Sequence, residues 1–351
     1  MKFNLFMTSI LVIMLSMVVS KVVYFGFTPN YGADIFARKA FDAKFDHGGD
    51  RYRVLSKYMV YAVDGLLGRS MKEGGAEARV RTVTGGASER FYYAIYYLNT
   101  LFLALTSLMV VLLLNLDGAL RFSDSEKILL CFFVPVLIGM TQFTVHYYDL
   151  SSYFLELVIL YVFLKNIDSR YAQTMAYIMG LIVVSTLNRE SAEVSVAMIA
   201  VLLLVRYGGE RRVWWSIAGM VGCWVGTYVA LRAGIGAGGP PPKAAASGSA
   251  GFEPDMFMMG VIFWVLFVYL PFALAATEEN KQVMGWFYIL SLPYIVNSLM
   301  GGDLWAVRLY VPLFLGALFL SRLDAGTISR GRPVIFRPAW RRTGVNERTI
   351  G

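Results

Sequence analysis

ILLCFFVPVLIGMTQFTV (residues 128–145) runs directly into HYYDLSSYFLELVILYVFL (residues 146–164), with only the tetrad HYYD between two apolar runs. Each run is close to the roughly 17–25 residues that cross a bilayer as a helix. Neither alternates apolar with polar residues as barrel strands do. Backbone groups in lipid must satisfy one another, so the pair reads as two membrane helices joined by a very tight turn. The pattern extends over the whole chain. Of 351 residues, 57% are hydrophobic and 16% charged, against about 25% charged in soluble domains. The expected fold class is all-α, a polytopic transmembrane helix bundle.

Ten spans are expected, at about 3–27, 91–115, 128–145, 148–164, 171–187, 191–205, 213–233, 256–276, 283–300 and 309–323. They make residues 1–323 a single transmembrane domain, followed by a basic tail at 324–351. The fourth to sixth runs are short, which suits helices inside the bundle. The first run is read as an uncleaved anchor: VVS before Lys21 resembles a signal-peptide cleavage site, but the run is long for that role.

Orientation follows from Lys and Arg in the short connections. One set holds Arg121, Lys127, Lys165, Arg170, Arg206, Arg211, Arg212 and Lys281, and Arg322 with the six arginines of the tail adds seven more. The opposite short loops hold little beyond Arg189, Lys243 and Arg308. Both termini are therefore expected in the cytoplasm. Much of the net charge of +8 lies in the tail beside the last span, which points to anionic membrane lipids as partners and away from nucleic acid. Cys131 and Cys223 both fall inside spans, so no disulfide framework or thiolate metal site is indicated.

Five polar islands then share the outer side: Thr28 to Arg90, His146 to Asp149, Asn188 to Glu190, Gly236 to Asp255, and Gly301 to Arg308. The first contains Asp34 and, over residues 51–67, apolar residues at helical spacing interleaved with Arg51, Arg53, Lys57 and Asp64. That pattern predicts an amphipathic helix lying in the membrane interface. Its bases either hold a lipid-linked phosphate or meet ordinary headgroups. In the second island Tyr147 and Tyr148 read as interfacial aromatics, while the tight turn holds His146 and Asp149 near the membrane core. Asp149 either caps the fourth helix or accepts a proton or a sugar hydroxyl. Glu156, two helical turns further, is an ionisable group inside a span and therefore a functional candidate.

In the third island Asn188 is expected to cap the sixth helix, and Glu190 suits the first turn of that helix. Arg189 either pairs with an acid or binds phosphate through its planar fork. In the fifth, Arg308 heads a helix at the end where the dipole disfavours a cation. It needs a partner, either Asp303 or an anionic ligand. The Gly/Ala/Ser/Pro-rich fourth island reads as a linker.

HYYDL, STLNRESAEV and DLWAVRLYVPLFL, taken in this order with RYRVL in the first outer segment, resemble bacterial polytopic proteins of the GT-C glycosyltransferase type. The resemblance implies inverting transfer of a sugar from a polyprenyl-phosphate carrier to an acceptor on the outer face. It also implies a catalytic acid in the first outer segment, where Asp34 stands, although no paired-acid motif accompanies it. Under this reading Asp34, Asp149 and Glu190 are the catalytic candidates. Arg51, Arg53, His146, Tyr148, Asn188, Arg189, Asp303 and Arg308 are the substrate-binding ones. A divalent metal is compatible with these carboxylates, but no spacing demands one. The competing classes are a transporter or flippase, for which Glu156, Glu193 and Asn297 inside spans would form a polar path, and a non-catalytic envelope scaffold.

Overall fold

Ser123 shows how the helices are started. Its hydroxyl accepts from the Glu126 amide while the Glu126 carboxylate accepts from the Ser123 amide, a reciprocal cap that satisfies two orphan donors. Thr277 caps a later helix through the Asn280 amide. The computed structural model describes residues 4–27, 38–47, 49–70, 89–116, 118–143, 146–166, 170–235, 254–301 and 307–324, and among them every named element is helical.

In chain order the helices are α1 (Leu5–Val22), α2 (Arg38–His47), α3 (Val54–Ser70), α4 (Glu89–Leu114), α5 (Asp124–Met140), α6 (Asp149–Asn166) and α7 (Tyr171–Asn188). They continue with α8 (Ala192–Tyr207), α9 (Arg211–Ile235), α10 (Pro254–Ala273), α11 (Glu278–Leu290), α12 (Leu292–Gly301) and α13 (Val311–Leu320). Leu5–Gly26, Arg90–Leu114 and Arg211–Ile235 are long and apolar enough to cross a membrane, while Val261–Ala273 and Val311–Leu320 are shorter apolar helices. The outward faces of α1 and α9 are lined with large exposed apolar residues, among them Phe6, Met14, Val18, Trp215 and Val229. Soluble monomers do not present contiguous apolar faces on that scale, so the chain is a membrane protein.

Inside this ring α13 is wholly apolar and buried along its whole length, and α8 is buried along most of its length, as expected for interior helices. α8 packs on α6, α7, α9, α11 and α13. At the crossing of α1 and α5, a Cβ on Gly139 would collide with the Val19 side chain. Glycine there lets the two backbones approach.

Two expectations are corrected. The run at 283–300 is not one helix: α11 ends at Leu290, Ser291 leaves helical geometry (φ −88°, ψ 2°), and α12 begins at Leu292. Pro293 lacks the amide that would bond across the break, and its ring would meet the carbonyl four residues back. The helix expected over 51–67 begins at Val54, after a 3₁₀ turn at Gly49–Tyr52. Its buried residues are Ser56, Val60 and Asp64, whereas the apolar Tyr58 and Leu66 are 65% and 63% exposed. α3 is fastened to α7 and α4 by the polar contacts of Ser56 with Asn188 and Asp64 with Arg90 as well as by apolar packing of Val60, with Met59 and Val63 partly buried.

The bundle has two chemically distinct ends. At one, Arg121 pairs with Asp324, Arg322 with Glu126, and the Asn280 amide donates to the carbonyls of Leu320, Ser321 and Leu323. The other end gathers residues from four of the five islands.

Candidate functional site

α6 begins at Asp149, which is wholly buried, and α7 ends one residue before Arg189, which is 4% exposed. Arg189 Nη1 lies 2.7 Å from Asp149 Oδ1. Neither Asp149 oxygen has an aligned hydrogen bond, so the contact is held by charge at close range. The half-buried Arg308 approaches the other Asp149 oxygen through Nε at 3.9 Å. One carboxylate from the second island therefore faces arginines from the third and the fifth.

The extended backbone at Arg189 (φ −162°, ψ 144°) turns the chain out of α7 and sends Glu190 to a different partner. Arg53 Nη2 meets Glu190 Oε1 at 2.7 Å, and its Nε donates to Oε2 at 3.3 Å, a bidentate fork. The Arg53 guanidinium also lies 3.8 Å from the centre of the Tyr148 ring, with that of Arg189 at 5.6 Å. Burial by itself would raise the Glu190 carboxyl. The charge and hydrogen bonds of Arg53, with help from Arg189, reverse that and lower it to about 2. Burial would lower the Arg189 guanidinium, but Asp149 outweighs this and moves it above its ordinary value.

Asn188 does not cap α8, whose first turn has no side-chain cap. Its Oδ1 accepts from Ser56 at 2.7 Å and Ser151 at 2.9 Å, and its Nδ2 donates to the Tyr148 carbonyl at 3.1 Å. This buried amide ties α3, α6 and α7 together. His146 Nδ1 pairs with the Tyr148 hydroxyl at 2.9 Å. Arg51 lies against its neighbour Tyr52, 4.6 Å from the ring centre. Asp34 and Asp303 lie outside the described residues, as does most of the Gly236 to Asp255 island.

Several members of the site were not singled out from the sequence. The hydroxyls of Tyr153 and Tyr294 donate to the carbonyls of Arg308 and Leu309, each at 2.7 Å, and hold the turn that carries Arg308. Trp224 donates to the Glu190 carbonyl at 3.3 Å. Tyr153 was within reach of sequence reasoning, since Asp149, Tyr153 and Glu156 share one face of α6 at helical spacing. Ser56 and Tyr294 carry no such signal. Among the described residues, no three His, Cys, Asp or Glu side chains group as metal ligands.

Comparison with family models, curated proteins and solved structures found no match. The chemistry of the site is therefore the guide to function.

Proposed function

We propose that the chain is a membrane glycosyltransferase of the GT-C type. It moves a sugar from a polyprenyl-phosphate carrier to an acceptor on the periplasmic face of a bacterial inner membrane, with inversion at the anomeric carbon. In this reading the ten apolar runs cross or enter the bilayer, both termini are cytoplasmic, and the arginine-rich end faces outward.

The observation that carries the reading is the meeting of Arg53, Arg189 and Arg308 around Tyr148 and Asp149. Three guanidinium groups face two carboxylates, so these five side chains keep one net positive charge. As the acceptor oxygen bonds to the anomeric carbon, the bond to the carrier phosphate breaks and a second negative charge develops on that phosphate. Cations placed for charge that appears only in the transition state are often the largest catalytic contribution. Arg308, loosely paired and 21% exposed, is the group able to turn to the phosphate, while Arg189 is locked behind it. Asp149 has no exposed surface from which to reach an acceptor, and Glu190, lowered to about 2, is a weak base. Both anchor arginines, and the proton of the acceptor goes to Asp34, as the resemblance implies.

The test is transfer by the purified chain in nanodiscs, supplied with short-chain polyprenyl-phosphate sugars. Arg308→Ala should lower transfer by about 10²–10³-fold, the cost of one oxyanion donor, with an unchanged thermal midpoint. Full transfer by that variant, or none by the folded wild type with any carrier, would remove the reading. The break at Ser291 and the buried Glu156 in α6 favour a second reading, a transporter or flippase for the same anionic lipid. Movement of the lipid across vesicles without covalent transfer would select it.

A further inference from the structure

Outside the ion pairs, two carboxamides are buried with polar atoms that no group among the described residues satisfies. Gln142 is 2% exposed, and among the described residues neither its amide nitrogen nor its amide oxygen has a hydrogen-bond partner. Asn99 is equally buried. Its Nδ2 donates to the Tyr24 hydroxyl at 2.6 Å and to the His146 carbonyl at 3.4 Å, whereas its Oδ1 has no partner. About nine in ten buried polar groups in folded proteins are paired, so two such amides in one neighbourhood call for a binding explanation.

Their neighbourhood is the arginine cluster. The Thr141–Phe143 turn, which carries Gln142, packs against the Val23–Phe27 turn and the Val307–Leu309 turn. The first of these carries Tyr24, the partner of Asn99, and the second carries Arg308. The other bond of Asn99 leads to His146, whose ring pairs with Tyr148, the residue stacked by Arg53.

We infer that Gln142 and Asn99 form a neutral subsite for sugar hydroxyls beside the phosphate position at Arg308. This deepens the proposed function and rests on it. Both amide hydrogens of Asn99 are already committed, so its Oδ1 can be satisfied only by a donor. Gln142 offers donors and an acceptor together. A phosphate, which only accepts when fully ionised, would leave both carbonyl oxygens unmet. A lipid tail would meet none of these atoms. Hydroxyl groups donate and accept at once and fit the set.

The experiment uses the full chain in nanodiscs and three kinds of probe. These are farnesyl phosphate; farnesyl phosphate carrying glucose, mannose, galactose or arabinose; and the methyl glycosides of the same sugars. At least one sugar-bearing lipid should bind about tenfold or more tightly than farnesyl phosphate, and Gln142→Met should abolish that gain while leaving farnesyl phosphate binding unchanged. Gln142→Asn, which keeps a carboxamide but draws it back, should give the same loss should the methionine variant not fold. Binding of a methyl glycoside that is lost in Gln142→Met would place the hydroxyls on the acceptor, and the subsite would stand. The inference is overturned if no sugar-bearing lipid binds better than farnesyl phosphate and no methyl glycoside binds, or if the sugar-dependent binding survives in Gln142→Met and Asn99→Leu. A lower thermal midpoint in Gln142→Met with the gain retained would likewise overturn it, because the amide would then serve only internal hydration. Failure of the phosphate reading would look different: farnesyl phosphate would not bind, or Arg308→Ala would leave its affinity unchanged.

Discussion

Asp149 and Arg189 form a pair with almost no solvent exposure, and such pairs respond asymmetrically to mutation. Removing one partner strands a buried charge and costs about 3–5 kcal/mol, while replacing both with apolar residues of similar volume is often neutral. Asp149→Leu should therefore lower the thermal midpoint in detergent strongly, and Asp149→Leu combined with Arg189→Met should recover most of it. Transfer should stay lost in the double variant, because stability returns without the guanidinium. The Arg53–Glu190 pair carries a pH prediction. The folded Glu190 carboxyl, at about 2, lies below its unfolded value of about 4.3. Its contribution to stability is thus fully present above roughly pH 4.3 and is lost as pH falls from there through about 2. Fluorescence of Trp224, bonded to the Glu190 carbonyl, should hold steady down to pH 4 and change below it. Arg53→Gln should move that change toward pH 4.

Among the elements, the crossing of α1 and α5 depends on the missing Cβ of Gly139 against Val19. Gly139→Ala should destabilise by about 1–3 kcal/mol through overpacking. Adding Val19→Ala should restore much of the loss in thermal unfolding. A Gly139→Ala variant as stable as the parent would mean that the helices separate without cost. The contrast with α3 is instructive. Its apolar residues are spaced for an interfacial helix, yet the face turned to the bundle is Ser56, Val60 and Asp64, joined to Asn188, Arg38 and Arg90. Hydrophobic spacing shows that a helix forms, but not which side meets protein when the other side can meet lipid.

For the whole molecule, the proposed orientation is tested by cysteine accessibility. Cys131 is buried and Cys223 partly so, and substituting both clears the background. Single cysteines at residues 236–253 should react with an impermeant reagent applied to the outside of intact cells, and cysteines between α10 and α11 (residues 274–277) should not. The reverse pattern would invert the molecule and move the arginine cluster to the cytoplasm.

The sequence by itself determined the all-helical class, the positions of the apolar helices to within a few residues at most ends, and the residue types gathered at one end of the bundle. These follow from local physics: runs of apolar residues, capping side chains, and polar tetrads too short to be anything but turns. Tertiary structure decided the pairings. Arg189 and Glu190 are adjacent in the chain, but the extended backbone at Arg189 sends their side chains to Asp149 and Arg53, in other islands. Asn188, positioned in sequence to cap α8, instead satisfies Ser56, Ser151 and the Tyr148 carbonyl. The proline-induced break at Ser291 lies within an apolar run and leaves no trace in hydropathy. Hydropathy is a sum over neighbours in the chain, whereas an ion pair or a buried amide is satisfied by whichever group packing brings within about 3 Å, and that group is seldom a neighbour in sequence.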